Sequence, residues 1–260
     1  NNTAPSLSKQ AVWQQLFPKK KYNDLRFRRL LSDLLQKAES FLAFRKYQQH
    51  PINEGIYLLE ALNEKKLDKY FDGTLHYFQH KLEHDTFLNS EYYFQRYQIE
   101  LQHSVHLENK NQRSTEKNLA QTLYSLDHFY LLNKLRFSTA TLHYKTIVAL
   151  QEDSFLLKEI LVQIEKSLSD QIPMVAIYYH IILTLTEPNQ EVHFQNLNLL
   201  LNKHHGEFSI SDARELYAYA LNYCIRKINQ GNISYQKKIF ELYKQMLKAN
   251  LLHNNGFISP

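Results

Sequence analysis

Glycine and proline are scarce, at 5 and 6 residues in a chain of 260. Tight hairpins and bulges draw on residues that tolerate positive φ, so a sheet fold has few of the turns it needs here. An all-α fold with no β-sheet is expected. Cysteine is scarcer still: the single Cys224 excludes a disulfide framework, and its neighbours Leu221, Tyr223 and Ile225 point to a buried structural thiol. Long apolar runs are missing. The longest, Met174 to Leu185, is interrupted by Tyr178, Tyr179, His180 and Thr184 and is too short to cross a bilayer, so no membrane contact and a cytoplasmic location are expected. The sequence also lacks G-x-G-x-x-G and Walker loops and a G-x-S-x-G elbow, which leaves no reason to expect a cofactor, a catalytic residue or an enzyme. With no initiator Met and no leader, the chain reads as a processed or shortened piece of a longer protein.

The excess of positive charge is confined to one end. Residues 1–50 hold 10 Lys and Arg against 3 acids, while the rest holds 21 against 23. Any electrostatic footprint therefore lies at Lys19, Lys20, Lys21, Arg26, Arg28 and Arg29. These interleave with Phe27 and could track a phosphate backbone. In the competing reading, Arg26, Arg29 and Asp33 form a solvated helix face while Leu30, Leu31 and Leu34 pack inward.

Apolar residues recur at helical spacing through most of the chain. Asn23 offers an N-cap for a helix running through Phe44, and Pro51 opens the next, where a missing N–H costs nothing. Further helices are expected over 67–84, 90–107, 114–150 and 154–168. The stretch 114–150 contains no Gly or Pro and reads as one helix roughly 50 Å long at about 1.5 Å per residue. Residues 8–168 form a looser part and 172–260 a clearer repeat within one helical array spanning 1–260. In that repeat, Met174, Ile177 and Ile181 line a first helix and Phe194, Leu197, Leu200 and Leu201 its partner. The unit returns with Leu216, Tyr217, Ala220 and Cys224, then Phe240, Tyr243, Met246 and Leu247. Ile172-Pro173, Ile210-Ser211 and Ile258-Ser259-Pro260 each announce a first helix, so the chain is expected to stop short of a further hairpin. Gly206, Gly231 and Gly256 suit left-handed positions after helices.

Antiparallel helix pairs repeating in this way over Ile172 to Pro260 resemble the tetratricopeptide-like class of α-solenoids. The opening stretch from Ala11-Val12-Trp13 to Arg29-Leu30 resembles uncharacterised bacterial helical proteins, and the abundance of Asn, Lys, Ile and Tyr fits an AT-rich bacterial genome. The first resemblance implies a non-enzymatic scaffold whose stacked hairpins present a groove to another protein or peptide. Tyr92, Tyr93, Tyr97, Tyr178 and Tyr217 are the expected contacts, since tyrosine supplies area and a polar tip with little rotamer entropy. Two alternatives remain: nucleic-acid association through the basic end, and a metal site. His80-Lys81-Leu82-Glu83-His84 matches H-x-x-E-H, in which two histidines bind zinc and the Glu is a general base. His76 extends the same face, and Glu91, Glu100, His103 and His106 are candidate further ligands.

Overall fold

The computed structural model describes residues 8–84, 87–112, 116–145, 155–167, 172–254 and 257–258. Eleven helices are present among them: α1 (Lys9–Leu16), α2 (Asp24–Gln48), α3 (Pro51–Glu64), α4 (Asp68–Glu83), α5 (Ser90–Asn109), α6 (Glu116–Lys145), α7 (Leu157–Lys166), α8 (Pro173–Thr186), α9 (Glu191–Lys203), α10 (Ile210–Asn229) and α11 (Tyr235–Lys248). Among the described residues the regular structure is all-helical apart from a short antiparallel ladder that pairs His253–Asn254 with Phe257–Ile258. Ser259 and Pro260, which figured in the expected third hairpin, and Gly256, expected at a left-handed position after a helix, lie outside the described residues, as do both ends of the 114–150 segment.

Capping chemistry sets the starts. Asn23 Oδ1 accepts from the Arg26 amide at 2.9 Å, and Asn89 Oδ1 accepts from that of Tyr92 at 3.1 Å. Ser209 Oγ accepts from the Asp212 amide at 3.2 Å and donates back to its carboxylate at 2.6 Å. The cap of α10 is therefore Ser209, with buried Phe208 before it, and Ile210 is already helical. At the helix ends, α3, α5, α10 and α11 share one device. The residues Lys66, Asn111, Gly231 and Asn250 adopt positive φ, and each donates back across the last turn while the next residue donates one carbonyl further. Gly231 alone among these is glycine. Gly206 is not left-handed, because α9 ends three residues earlier at Lys203.

Two compact units divide the chain, Asn1–Leu58 and Leu59–Pro260. In the first, Trp13 is buried and its indole Nε1 donates to the Lys20 carbonyl at 3.0 Å, closing the turn between α1 and α2. Phe17, Tyr22 and Phe27 surround it with ring centroids 4.7, 6.0 and 6.2 Å away. Away from this cluster α2 has little cover: Phe27 alone of its 25 residues is buried. Leu30, Leu31 and Leu34 do not pack inward as the charged-face reading required.

In the second unit α8 is the central element. Ten of its 14 residues are buried, and it packs against α6, α7, α9 and α10. A helix apolar on every side has to be covered on every side. This is the longest apolar run of the sequence, and no described helix is long and apolar enough to cross a membrane. The packing of α8 on α9, α10 on α11, and α10 on both α8 and α9 is that of two successive helix pairs. Their correspondence differs from the sequence reading by one residue in the second partner helix. Buried Leu197 and Leu201 match Leu242 and Met246, 45 positions on, whereas Phe240, Tyr243 and Leu247 are exposed. The first helices match at an offset of 39, which takes Met174, Ile177, Tyr178 and Ile181 to Ala213, Leu216, Tyr217 and Ala220.

Left-handed backbone disfavours a Cβ by roughly 1–2 kcal/mol. Gly231→Ala is expected to lower stability by about 1 kcal/mol, and Lys66→Gly to raise it by up to about 1 kcal/mol, the gain limited by added freedom in the unfolded chain. Urea unfolding midpoints check both, and shifts of the opposite sign count against this description of the helix ends.

Candidate functional site

A polar cavity of about 210 Å³ opens between three helices of the larger unit. Gln79 and Glu83 enter it from α4, Arg96, Glu100 and His103 from α5, and Lys117 and Asn118 from α6. Glu100 and His103 stand three residues apart on one face of α5, and Asn118 lies two residues into α6, so the two helix faces meet at the carboxylate. Glu100 is buried. One of its oxygens accepts from Gln79 Nε2 at 2.9 Å and the other from Asn118 Nδ2 at 2.7 Å, with His103 Nδ1 3.7 Å away. Ser104 Oγ donates to Asn118 Oδ1 at 2.6 Å, which fixes the orientation of that amide. Burial pushes the Glu100 acidity towards the neutral form, but hydrogen bonds from His103, Gln79 and Asn118 outweigh it and hold the carboxyl below its ordinary range. The result is an ionised carboxylate that ties three helices together through partners of fixed geometry.

The signal for this cluster was available in the pattern of α5. Tyr93, Glu100 and Leu107 recur at intervals of seven, so an acidic residue occupies a position where a core aliphatic belongs. Of the metal-ligand candidates, His80 and His84 do come together, with their Nε2 atoms 3.1 Å apart on an exposed face, and His76 is exposed one turn before. The proposed third ligands lie elsewhere. Glu100 and His103 belong to the cavity, and His106 is buried beneath Phe71, stacked at 3.8 Å, with Nδ1 3.1 Å from Asn63 Oδ1. Among the described residues no group of three or more His, Cys, Asp or Glu side chains is placed to hold a metal ion. The three-histidine centre is therefore not formed as the motif suggested.

Four of the five tyrosines expected at a partner surface are buried, and Tyr97 is half-buried. Tyr92 accepts from Arg96 at 2.8 Å, and Tyr93 stacks on His128 at 5.0 Å. The hydroxyls of Tyr178 and Tyr217 donate to Glu215 and Gln245, each at 3.2 Å. These helices are interior ones, so rings on them fill space between layers and their hydroxyls find partners inside. Among the described residues the exposed tyrosines are instead Tyr57, Tyr70, Tyr77, Tyr124, Tyr130, Tyr144 and Tyr243.

Lys19, Lys20, Lys21, Arg26, Arg28 and Arg29 are all exposed, as expected. They do not form one stripe. At about 100° per residue Arg26 and Arg28 point to nearly opposite sides of α2. Arg28 pairs with Asp24 at 2.8 Å, while Lys20 and Arg26 lie over the Phe17 ring at 5.5 and 5.9 Å. Cys224 is fully buried, and burial pushes its thiol up to about 12, which makes it a poor nucleophile.

The ionised form of Glu100 stabilises the fold above the unfolded value of ~4.3. That contribution is lost as pH falls through the lower folded-state value. Glu100→Ala is expected to cost about 2–4 kcal/mol at neutral pH by leaving Gln79 and Asn118 without an acceptor. Urea unfolding of Glu100→Gln should show a deficit against the parent that narrows in acid. A deficit that widens in acid contradicts the depressed acidity. Buried His180 behaves in the same direction: burial and His193 push it down to about 4. Stability from neutral His180 is complete above ~6.5 and is lost between there and about 4. His180→Leu should flatten the pH 7-to-5 decline in unfolding free energy, and an unchanged slope refutes this. No protein-family model matches the chain, and neither a curated protein nor a solved structure is similar to it.

Proposed function

We propose that this chain is a non-catalytic protein-interaction module of stacked helical hairpins, tetratricopeptide-like in arrangement, that receives a partner helix on α2. The observation that carries this reading is the exposed apolar half of α2. Leu30, Leu31, Leu34, Leu35, Phe41, Leu42 and Phe44 are all exposed. At about 100° per residue they fall within one half of the helix surface, which Lys37 and Arg45 also share, and Arg29, Ser32, Asp33, Gln36, Glu39 and Ser40 occupy the other. A mainly apolar surface of this extent on a water-facing helix, broken by Lys37, marks a contact site, and an amphipathic helix laid along it is a recurrent solution.

Charge selects the chemistry of the partner. Arg26 and Arg29 with Lys19 to Lys21 flank the stripe at one end, and Arg45 and Lys46 at the other. A helix with an apolar face and acidic flanks complements this arrangement, gaining association rate from the charges and affinity from the stripe. The packing of α8 on α9 and of α10 on α11, with buried positions of α8 returning in α10 at an offset of 39 and those of α9 in α11 at an offset of 45, supports the stacked-hairpin arrangement.

Capture from native cells by the full chain, in nuclease and moderate salt, tests this when run beside Leu34→Glu/Leu42→Glu. Both substitutions lie on exposed positions, so circular dichroism is expected to be unchanged. A protein held by the parent and reduced at least about tenfold with the variant, roughly the loss of one well-packed contact, supports the reading. Equal capture by both overturns it. Material lost on nuclease treatment alone overturns it in favour of a nucleic-acid backbone at the basic residues.

A further inference from the structure

Helix α6 has its polarity reversed. Towards its neighbours it buries Asn118, Ser125, Ser138 and Thr139 beside Leu132 and Leu135. Towards solvent it presents Leu119, Leu123, Leu126, Tyr130, Phe137 and Tyr144, each between 39% and 66% exposed. The exposed positions are separated by four, three, four, seven and seven residues. Half-buried Asn133, whose amide is held by Ser90 of α5 and the Phe129 carbonyl, and half-buried Ala140 stand at the two omitted steps, so eight positions in a row follow the heptad alternation of a coiled-coil seam. The seam runs about 38 Å along the helix. Its six large side chains offer on the order of 600 Å² of apolar surface, most of the ~800 Å² that each partner brings to a standard stable interface.

The seam is complementary to itself in one direction. Turned about an axis between residues 131 and 132, an antiparallel copy sets Leu119 opposite Tyr144, Leu123 opposite Ala140, Leu126 opposite Phe137, and Tyr130 opposite Asn133. Every large ring then meets an aliphatic or small neighbour. A parallel copy in register instead stacks Tyr130, Phe137 and Tyr144 each on itself and leaves Ala140 facing Ala140 across a gap. Charge points the same way. Asp127 and Lys134 flank the seam on the same side, and the antiparallel arrangement brings each beside the other's counterpart, giving two ion pairs related by the two-fold axis. In a parallel pair these positions face Thr122 and Phe129, which carry no charge.

We infer that α6 is a self-association surface, and that a second copy of this chain packs on it antiparallel with closed two-fold symmetry. Sedimentation equilibrium of the full chain tests this. The parent is expected to dimerise, and Phe137→Glu to be monomeric at the same concentrations. Asp127→Lys and Lys134→Asp each turn two attractive contacts into repulsive ones and are expected to weaken the dimer roughly five- to tenfold. The double exchange restores it, which only an antiparallel pair through these residues achieves. A parent that stays monomeric up to on the order of 100 μM, a dimer indifferent to Phe137→Glu, or single exchanges without restoration overturns the inference. Leu34→Glu/Leu42→Glu is expected to leave the dimer intact. A dimer that this pair dissolves while Phe137→Glu does not places self-association on α2 and overturns the inference for α6.

Discussion

Helix α8 has no face that water can cover, and the larger unit is arranged around that constraint. Val175, Ile177, Ile181 and Ile182 are fully buried on different sides of it, each contributing about 1.5–3 kcal/mol against exposure. Four helices are needed to exclude water from it, and α6, α7, α9 and α10 supply them. The deeply placed hydroxyl of Tyr178 is satisfied by Glu215 of α10. The same carboxylate receives two hydrogen bonds from Arg136 of α6, at 3.1 and 2.6 Å. The polar contact therefore follows from the apolar one. Once α8 is enclosed, its tyrosine must find an acceptor on a covering helix, and an ion pair across two of those helices holds the acceptor in place.

A different logic holds α5 against α6. Beside ring contacts of Tyr93 with Tyr124 and His128 and of Phe94 with Phe129, this interface carries a network of amides, hydroxyls and a carboxylate around Glu100 and Asn118. Such a network contributes little net energy when complete, because each group gives up water to gain its partner. Its influence is on arrangement, since any rotation or slip of one helix leaves a buried charge without its donors. The apolar interior around α8 supplies stability to the unit, and the Glu100 cluster specifies how α4, α5 and α6 are turned.

Element positions were largely legible because they depend on local chemistry. Asn23 as a cap, Pro51 and Pro173 as openings and the all-helical class each follow from groups within one turn of the chain. What was not legible depends on which side of a helix faces the interior. Adjacent tyrosines at Tyr92 and Tyr93 read as partly exposed, yet both are buried, because α5 is covered by α4 on one side and α6 on another. The repeat in α11 was misplaced by one residue for a related reason: Phe240, Tyr243, Met246 and Leu247 imitate the spacing of the α9 core, but Leu242 and Met246 are the ones enclosed. Helix ends carry no sequence signal where Lys66, Asn111 and Asn250 take a conformation associated with glycine. In the sequence Glu100 reads only as a metal ligand, because nothing local announces the donors that Gln79 and Asn118 bring from other helices.

These limits bear on α6, whose amphipathic pattern read alone points the wrong way. A hydrophobic periodicity argument turns Leu119, Leu123, Leu126, Tyr130 and Phe137 inward. Rotating the helix by half a turn to do so removes Asn118 from Glu100 and Ser104, which leaves a buried carboxylate without one of its two direct donors, and moves Arg136 away from Glu215 and Tyr178. It also carries Leu132 and Leu135, now fully enclosed, out to solvent. The polar inner face is thus held by partners on α5 and α10 that no rotation preserves, and the apolar outer face is the consequence. A helix constrained in this way cannot hide its second apolar seam within its own unit, so that seam is available only to something that arrives from outside it.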